Sequence, residues 1–101
     1  MLIYNITIKL SWDIHDEWLE WMRHEHIPEV MATRHFFKSQ LVRLREVEED
    51  DGPTYAVQFY AAEKEDYQQF LANYAAPLRE RTFERWGNQF ISFKSVMEVI
   101  N

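Results

Sequence analysis

The chain has 101 residues, no cysteine and a formal net charge of -6. That length is expected to form one domain over residues 1–101, burying about 65% of its unfolded surface without disulfide or metal staples. The missing cysteines exclude thiolate nucleophiles and cysteine metal sites, and the acidic balance argues against general nucleic-acid binding, which relies on Lys and Arg to neutralise phosphate.

The opening M-L-I-Y-N-I-T-I-K-L alternates apolar and polar residues, with no basic start and no continuous apolar core, so it reads as a strand and not a signal peptide. No later run approaches the roughly 20 apolar residues that span a bilayer, so a cytoplasmic protein with no membrane partner is expected. The strand runs from Leu2 to Leu10, with Tyr4, Ile6 and Ile8 on one face and Asn5, Thr7 and Lys9 on the other.

Ser11 or Asp13 caps the helix that follows, and Asp16 and Glu17 suit its first turn. At roughly 100° per residue, Ile14, Trp18, Trp21 and Met22 share a face, and Glu25 is the next residue to fall on it. An acid stands where the pattern asks for an apolar side chain. His26 lies at the edge of that face beside Met22. Pro28 cannot donate to the carbonyl of His24 and would clash with it, so the helix should kink or end near Ile27. Arg23 to Glu29 is thus the candidate site, either as a pocket wall or as a solvated helix end.

Phe36 to Val47 reads as a long second strand that ends in the acidic run Glu46, Glu48, Glu49, Asp50 and Asp51, before the turn Gly52-Pro53. These acids read as solubilising edge residues and not as ligands. Thr54 to Ala62 is the hairpin partner, with Tyr55, Val57 and Phe59 as its apolar set. A second helix starts near Glu63, carries Tyr67, Phe70, Leu71, Tyr74 and Leu78 as a core stripe, is interrupted by Pro77 and ends near Trp86 with Gly87 as cap. Arg79, Arg81 and Arg85, interleaved with Glu80 and Glu84, read as a solvated, salt-bridged face. Gln89 to Ile100 closes the series as a strand, with Ile91, Phe93, Met97 and Val99 on one face and Ser92, Lys94 and Glu98 on the other.

The order β-α-β-β-α-β, with right-handed crossovers, predicts an α+β, ferredoxin-like fold: a four-stranded antiparallel sheet with two helices on one face. The other face would carry Phe36 or Phe37, Val42 or Leu41, Ala56, Tyr60 and Val96, too apolar to leave wet. A homodimer with the two sheets face to face, a dimeric α+β barrel, would cover it.

Ile3-Tyr4-Asn5, His26-Ile27-Pro28-Glu29 and Phe90 at the last strand resemble, over nearly the whole chain, a small bacterial family that is a domain of unknown function. That family resembles the dimeric α+β barrel superfamily, alongside the antibiotic-biosynthesis monooxygenase, muconolactone-isomerase and EthD-like families. The EthD-like resemblance rests on an aromatic first helix followed by His-x-Pro, here His26 and Pro28, with Trp21 one position out of register. It implies a pocket between sheet and helices, but no catalytic residues.

The functional expectation is a homodimeric small-molecule-binding protein, working as an oxygenase or isomerase without a cofactor on a small aromatic or polyketide-like carbon acid. His26 would be the general base, and Glu25 or Glu29 would orient it or act as acid. Tyr4, Asn5, Trp18, Trp21 and Met22 would line the ligand. With two glycines there is no phosphate loop, and neither G-x-S-x-G nor H-E-x-x-H occurs. A metal or haem on His24, His26 and Glu29 would need Pro28 to unwind the turn, because residues two apart diverge by about 200°; no metal ligand is assigned. The alternative is a non-catalytic module that binds a metabolite or a protein partner.

Overall fold

The computed structural model describes residues 1–101. Its four strands, β1 (Leu2–Leu10), β2 (Lys38–Arg43), β3 (Thr54–Ala61) and β4 (Phe90–Glu98), form one antiparallel sheet in the order β2-β3-β1-β4. Two helical layers cross over between them. The first comprises a 3₁₀ turn (Trp12–Ile14), α1 (His15–Trp21), a π turn (Met22–His26) and α2 (Ile27–Met31); the second comprises α3 (Lys64–Asn73) and α4 (Ala75–Trp86). This is the ferredoxin-like α+β arrangement read from the element order.

Alternation along β1 sends Tyr4, Ile8 and Leu10 inward, where they meet Tyr55, Val57 and Phe59 of β3. Trp18, Met22 and Val30 close the core from the first helical layer, and Phe70, Leu78 and Trp86 close it from the second. Tyr4 sits at the centre of an aromatic group, with ring centroids 5.5 Å from Tyr67, 5.8 Å from Phe70 and 6.2 Å from Phe36. Burying rings of this size is the largest single source of stability in a core of these dimensions.

The sheet's outer face differs from expectation in one strand. The register pairs Tyr4 with Val96 and Ile6 with Lys94, which turns Phe90, Ser92, Lys94 and Val96 toward the helices and Ile91, Phe93 and Met97 outward. Val96 therefore does not belong to the outer face. Phe36 is buried in the core, and Phe37, on the far side, is exposed.

Element ends also differ. The first helical layer does not stop at Ile27 but continues to Met31, after which Arg34 turns the chain with φ 67°. β2 is only six residues long, because Glu46 adopts φ 58° and the acidic segment folds back over the sheet end. There Glu49 accepts two hydrogen bonds from the Arg43 guanidinium at 3.2 and 2.9 Å, Glu48 pairs with Lys9 at 3.1 Å, and the Trp12 indole donates to the Glu49 carbonyl at 2.7 Å. The long second helix breaks at Tyr74, whose ψ of -27° comes with φ -128°, and Pro77 falls in the first turn of α4, where a missing N–H costs least. Leu71 and Tyr74, expected in the core stripe, are exposed on either side of this break.

Candidate functional site

β1 and β4 pair along their full length, whereas α4 packs on α3 and makes no comparably tight contact with either strand. The resulting gap is a cavity of about 380 Å³ between the helices and the sheet. Tyr4, Ile6 and Ile8 of β1 form its floor, Trp18, Met22 and His26 one wall, and Leu78, Arg79 and Thr82 of α4 the other. It opens past Phe83 and Asn88 on one side and Ser92 and Lys94 of β4 on the other. The size lies at the lower end of the roughly 300–1,000 Å³ typical of small-molecule sites.

The π turn decides which residue of the first helix faces this space. The Ile27 amide donates to the Met22 carbonyl, one residue further back than in an α-helix, and each residue of the wider turn advances less around the axis. Pro28, which has no amide to offer, is accommodated directly after it. The widened turn swings Glu25 off the inward face into solvent, keeps His26 on it, and returns Val30 to the face of Met22, both fully buried. The expectation that Glu25 points into the pocket is corrected on this ground: it assumed a uniform α-helical advance.

His26 stacks on the Trp21 indole, with centroids 4.7 Å apart and planes inclined by 22°. Burial pushes its pKa down to about 4; the Glu29 carboxylate opposes this shift and the Arg81 guanidinium adds to it. The imidazole is thus neutral at physiological pH. It stands between the apolar cavity and a second, polar groove on the outer side lined by Trp21, Glu25, Glu29, Arg81, Glu84 and Arg85.

Of the residues read from sequence, His26, Tyr4, Trp18 and Met22 border the cavity. Glu25, Glu29 and Trp21 border the outer groove instead, and Glu29 is engaged by Arg81. Asn5 faces the opposite side of the sheet, between Gln58 and Ser95, where its amide donates to the Thr7 hydroxyl at 3.1 Å. A strand's period of two makes that placement unavoidable once Tyr4 points inward. The remaining histidines lie elsewhere: His15 is 2.7 Å from the Tyr55 hydroxyl, His24 pairs with Glu20 at 3.1 Å, and His35 with Asp66 at 3.3 Å.

Arg79, Thr82 and Lys94 were not singled out from sequence as pocket residues. Arg79 shares the helical spacing of Ala75, Leu78 and Thr82, and Lys94 shares the strand face of Phe90 and Ser92, so the signal was present once the inward faces of α4 and β4 are known. Arg81 and Arg85 do form salt bridges, but across to Glu29 and Glu17 of the first helical layer and not within α4.

Solved structures similar to this chain include SnoaB, a cofactor-independent oxygenase from Streptomyces nogalater (11% identity, 99% of this chain and 94% of that one, TM-score 0.69). MhuD, a heme-degrader from Mycobacterium tuberculosis with two hemes bound in its active site, is 15% identical, with 100% and 97% covered and a TM-score of 0.71. A dimeric ferredoxin-like protein from an uncultured marine organism is 13% identical, with 100% and 96% covered and a TM-score of 0.68. EthD-family and antibiotic-biosynthesis-monooxygenase structures are also among the matches. At these identities the likeness is one of fold. No curated protein matches the sequence. No group of three or more His, Asp or Glu side chains is placed to hold a metal ion. No helix is long and apolar enough to cross a membrane. The model of a domain of unknown function, DUF4286, matches residues 1–100, and the chain belongs to that family.

Proposed function

We propose that the chain is a homodimeric small-molecule-binding protein whose cavity abstracts a proton from a small aromatic or polyketide-like carbon acid, as an oxygenase or isomerase working without a cofactor. The observation that carries this reading is His26: the one imidazole bordering a mostly apolar cavity, kept neutral by burial and therefore free to accept a proton.

In the step proposed, a C–H bond of the substrate breaks, the electron pair delocalises onto the neighbouring carbonyl oxygen, and the proton passes to the His26 imidazole. A base with so low a pKa holds that proton only beside the anion it has created. Against a mostly apolar lining the attraction between imidazolium and enolate is stronger than in water, which supports such a pair. Return of the proton at another carbon completes an isomerisation. In the oxygenase version dioxygen oxidises the carbanion, converting a CH₂ to a carbonyl with release of water. Trp21 covers the ring face of His26, and Glu29 and Arg81 act on its charge from the outer groove, so these are positioning residues.

The homodimer is supported by the outer face of β4, where Ile91 is 74% and Phe93 62% exposed, with Met97 beside them. A second sheet laid on this face would bury them. The similar protein from the marine organism is dimeric, in keeping with this.

Deuterium exchange tests the reaction: 2-tetralone, a small aromatic ketone, is incubated with the protein in deuterium oxide and its α-protons are followed by NMR. Accelerated exchange that is lost in His26→Gln supports proton abstraction. Binding of the ketone with exchange at the background rate would replace the enzyme reading with the non-catalytic metabolite-binding one.

A further inference from the structure

Among the residues around the cavity there is no aspartate or glutamate, although the chain as a whole carries 17 acids against 11 Lys and Arg. Two cations, Arg79 from α4 and Lys94 from β4, stand at its opening. Neither is engaged in an ion pair, unlike Arg43, Arg81, Arg85 and Lys9; Arg23, Arg34, Lys38, Arg45 and Lys64 are unpaired too, but none of them borders the cavity. Nor does either donate a side-chain hydrogen bond to a protein acceptor; Lys94 instead lies 5.8 Å from the centre of the Tyr4 ring, over the apolar floor. A protein with this surplus of acid could neutralise both cations cheaply, yet every carboxylate is placed elsewhere.

We infer that Arg79 and Lys94 form a clamp for a carboxylate, so that the ligand of this cavity is an apolar, aromatic or alicyclic molecule bearing one acidic group. This rests on the reading of the cavity as a small-molecule site and specifies what enters it. At about 30 Å³ per non-hydrogen atom the cavity holds roughly a dozen such atoms. The apolar body lies over Tyr4, Ile6 and Ile8 and the acid stays at the opening, since no second charge inside the cavity would meet another. Burial and the neighbouring Arg79 hold the Lys94 ammonium below its usual range, a penalty that a bound anion relieves. Arg offers a planar pair of donors to a carboxylate and Lys a mobile third, so the two are complementary and not redundant.

The test uses a matched pair of probes, 2-naphthoate and 2-naphthamide, titrated calorimetrically into the wild-type protein at low and high salt. The naphthoate is expected to bind about ten-fold more tightly than the amide, with the advantage shrinking as salt rises. Arg79→Gln and Lys94→Gln, both at exposed positions, should each remove most of that advantage, bringing the affinities of acid and amide together. Equal affinity of the two probes for the wild type, or a preference that survives both substitutions, would overturn the clamp and leave the small-molecule site standing. Binding of neither probe would overturn both.

Discussion

The His26 imidazole lies nearly parallel to the Trp21 indole, with ring centroids 4.7 Å apart, although the two residues are five positions apart on a helical segment. In a uniform α-helix that separation leaves side chains well to either side of one another. Here the π turn that begins at Met22 brings them together, and the stacking removes water from one face of the imidazole.

Titration of His26 follows from that burial. Its NMR signals should titrate near pH 4, below the value of about 6.5 for a free histidine. Because the folded state binds the proton less well than the unfolded state, stability is complete above about pH 6.5 and is lost as pH falls toward 4, with no further change from this group below that. At about 1.4 kcal/mol per unit the loss is at most ~3.5 kcal/mol. Trp21→Ala should move the midpoint upward by admitting water, Arg81→Gln should raise it, and Glu29→Gln should lower it further. A His26 midpoint at or above 6.5 in the wild type would sink the buried-imidazole account.

Replacing His26 should separate chemistry from folding. His26→Gln is expected to slow carbon-acid exchange by about 10²–10⁴-fold, the usual contribution of a positioned base. Thermal unfolding at pH 7.5 should shift by only a few degrees, since the residue is neutral there and has no hydrogen-bonding partner to strand. Glu25→Gln, an exposed change outside the cavity, should leave the exchange rate within about two-fold, inside the range expected of surface substitutions.

Association should depend on the outer face of β4. Sedimentation of the wild type is expected to give a dimer at micromolar concentration, and Phe93→Glu, which places a charge on a face that a partner sheet would desolvate, a folded monomer. A wild-type protein that sediments as a monomer at all concentrations tested would rule out the dimer.

Gly52 should be intolerant of any side chain. A Cβ built there would lie 1.6 Å from the carbonyl oxygen of Leu10, a backbone atom that cannot move aside without disturbing the hydrogen bond from the Leu10 amide to the Pro53 carbonyl at 3.1 Å. Gly52→Ala is expected to destabilise by about 1–3 kcal/mol, measured by denaturant unfolding, through displacement of the acidic segment from the sheet end. Gly87→Ala meets no atom within 4 Å and suffers only from its φ of 62°, so its cost should be smaller, about 1 kcal/mol.

Much of this architecture was written in local patterns. The alternation from Leu2 to Leu10 set the strand and its inward side, and Tyr55, Val57 and Phe59 did the same for its neighbour, because a strand's two-residue period is a property of the chain alone. The succession of six elements then left the ferredoxin-like sheet as the economical solution. Tyr4, Trp18 and Met22 were legible as inward-facing because β1 alternates through Tyr4 and the first helix keeps α-helical spacing up to Met22, whereas His26, one turn further on, was legible only as a residue at the edge of that face. The orientation of Glu25 was not, since a single hydrogen bond from Ile27 to Met22 changes the phase of the helix at that point. Nothing in the residue types of Arg23 to Glu29 distinguishes a proline accommodated by a π turn from one that ends a helix.

The sequence by itself therefore determined the succession of strands and helical segments and the fold they build, which depend on residues a few positions apart. Only the tertiary structure decided that Arg79 and Lys94 meet Tyr4 across one opening free of carboxylates, and that Asn5, Trp21 and Glu29 do not belong to it. Convergence of that kind depends on where α4 stands relative to β1 and β4, elements drawn from opposite ends of the chain. That placement is set by the summed packing of the core and not by any periodicity the chain carries.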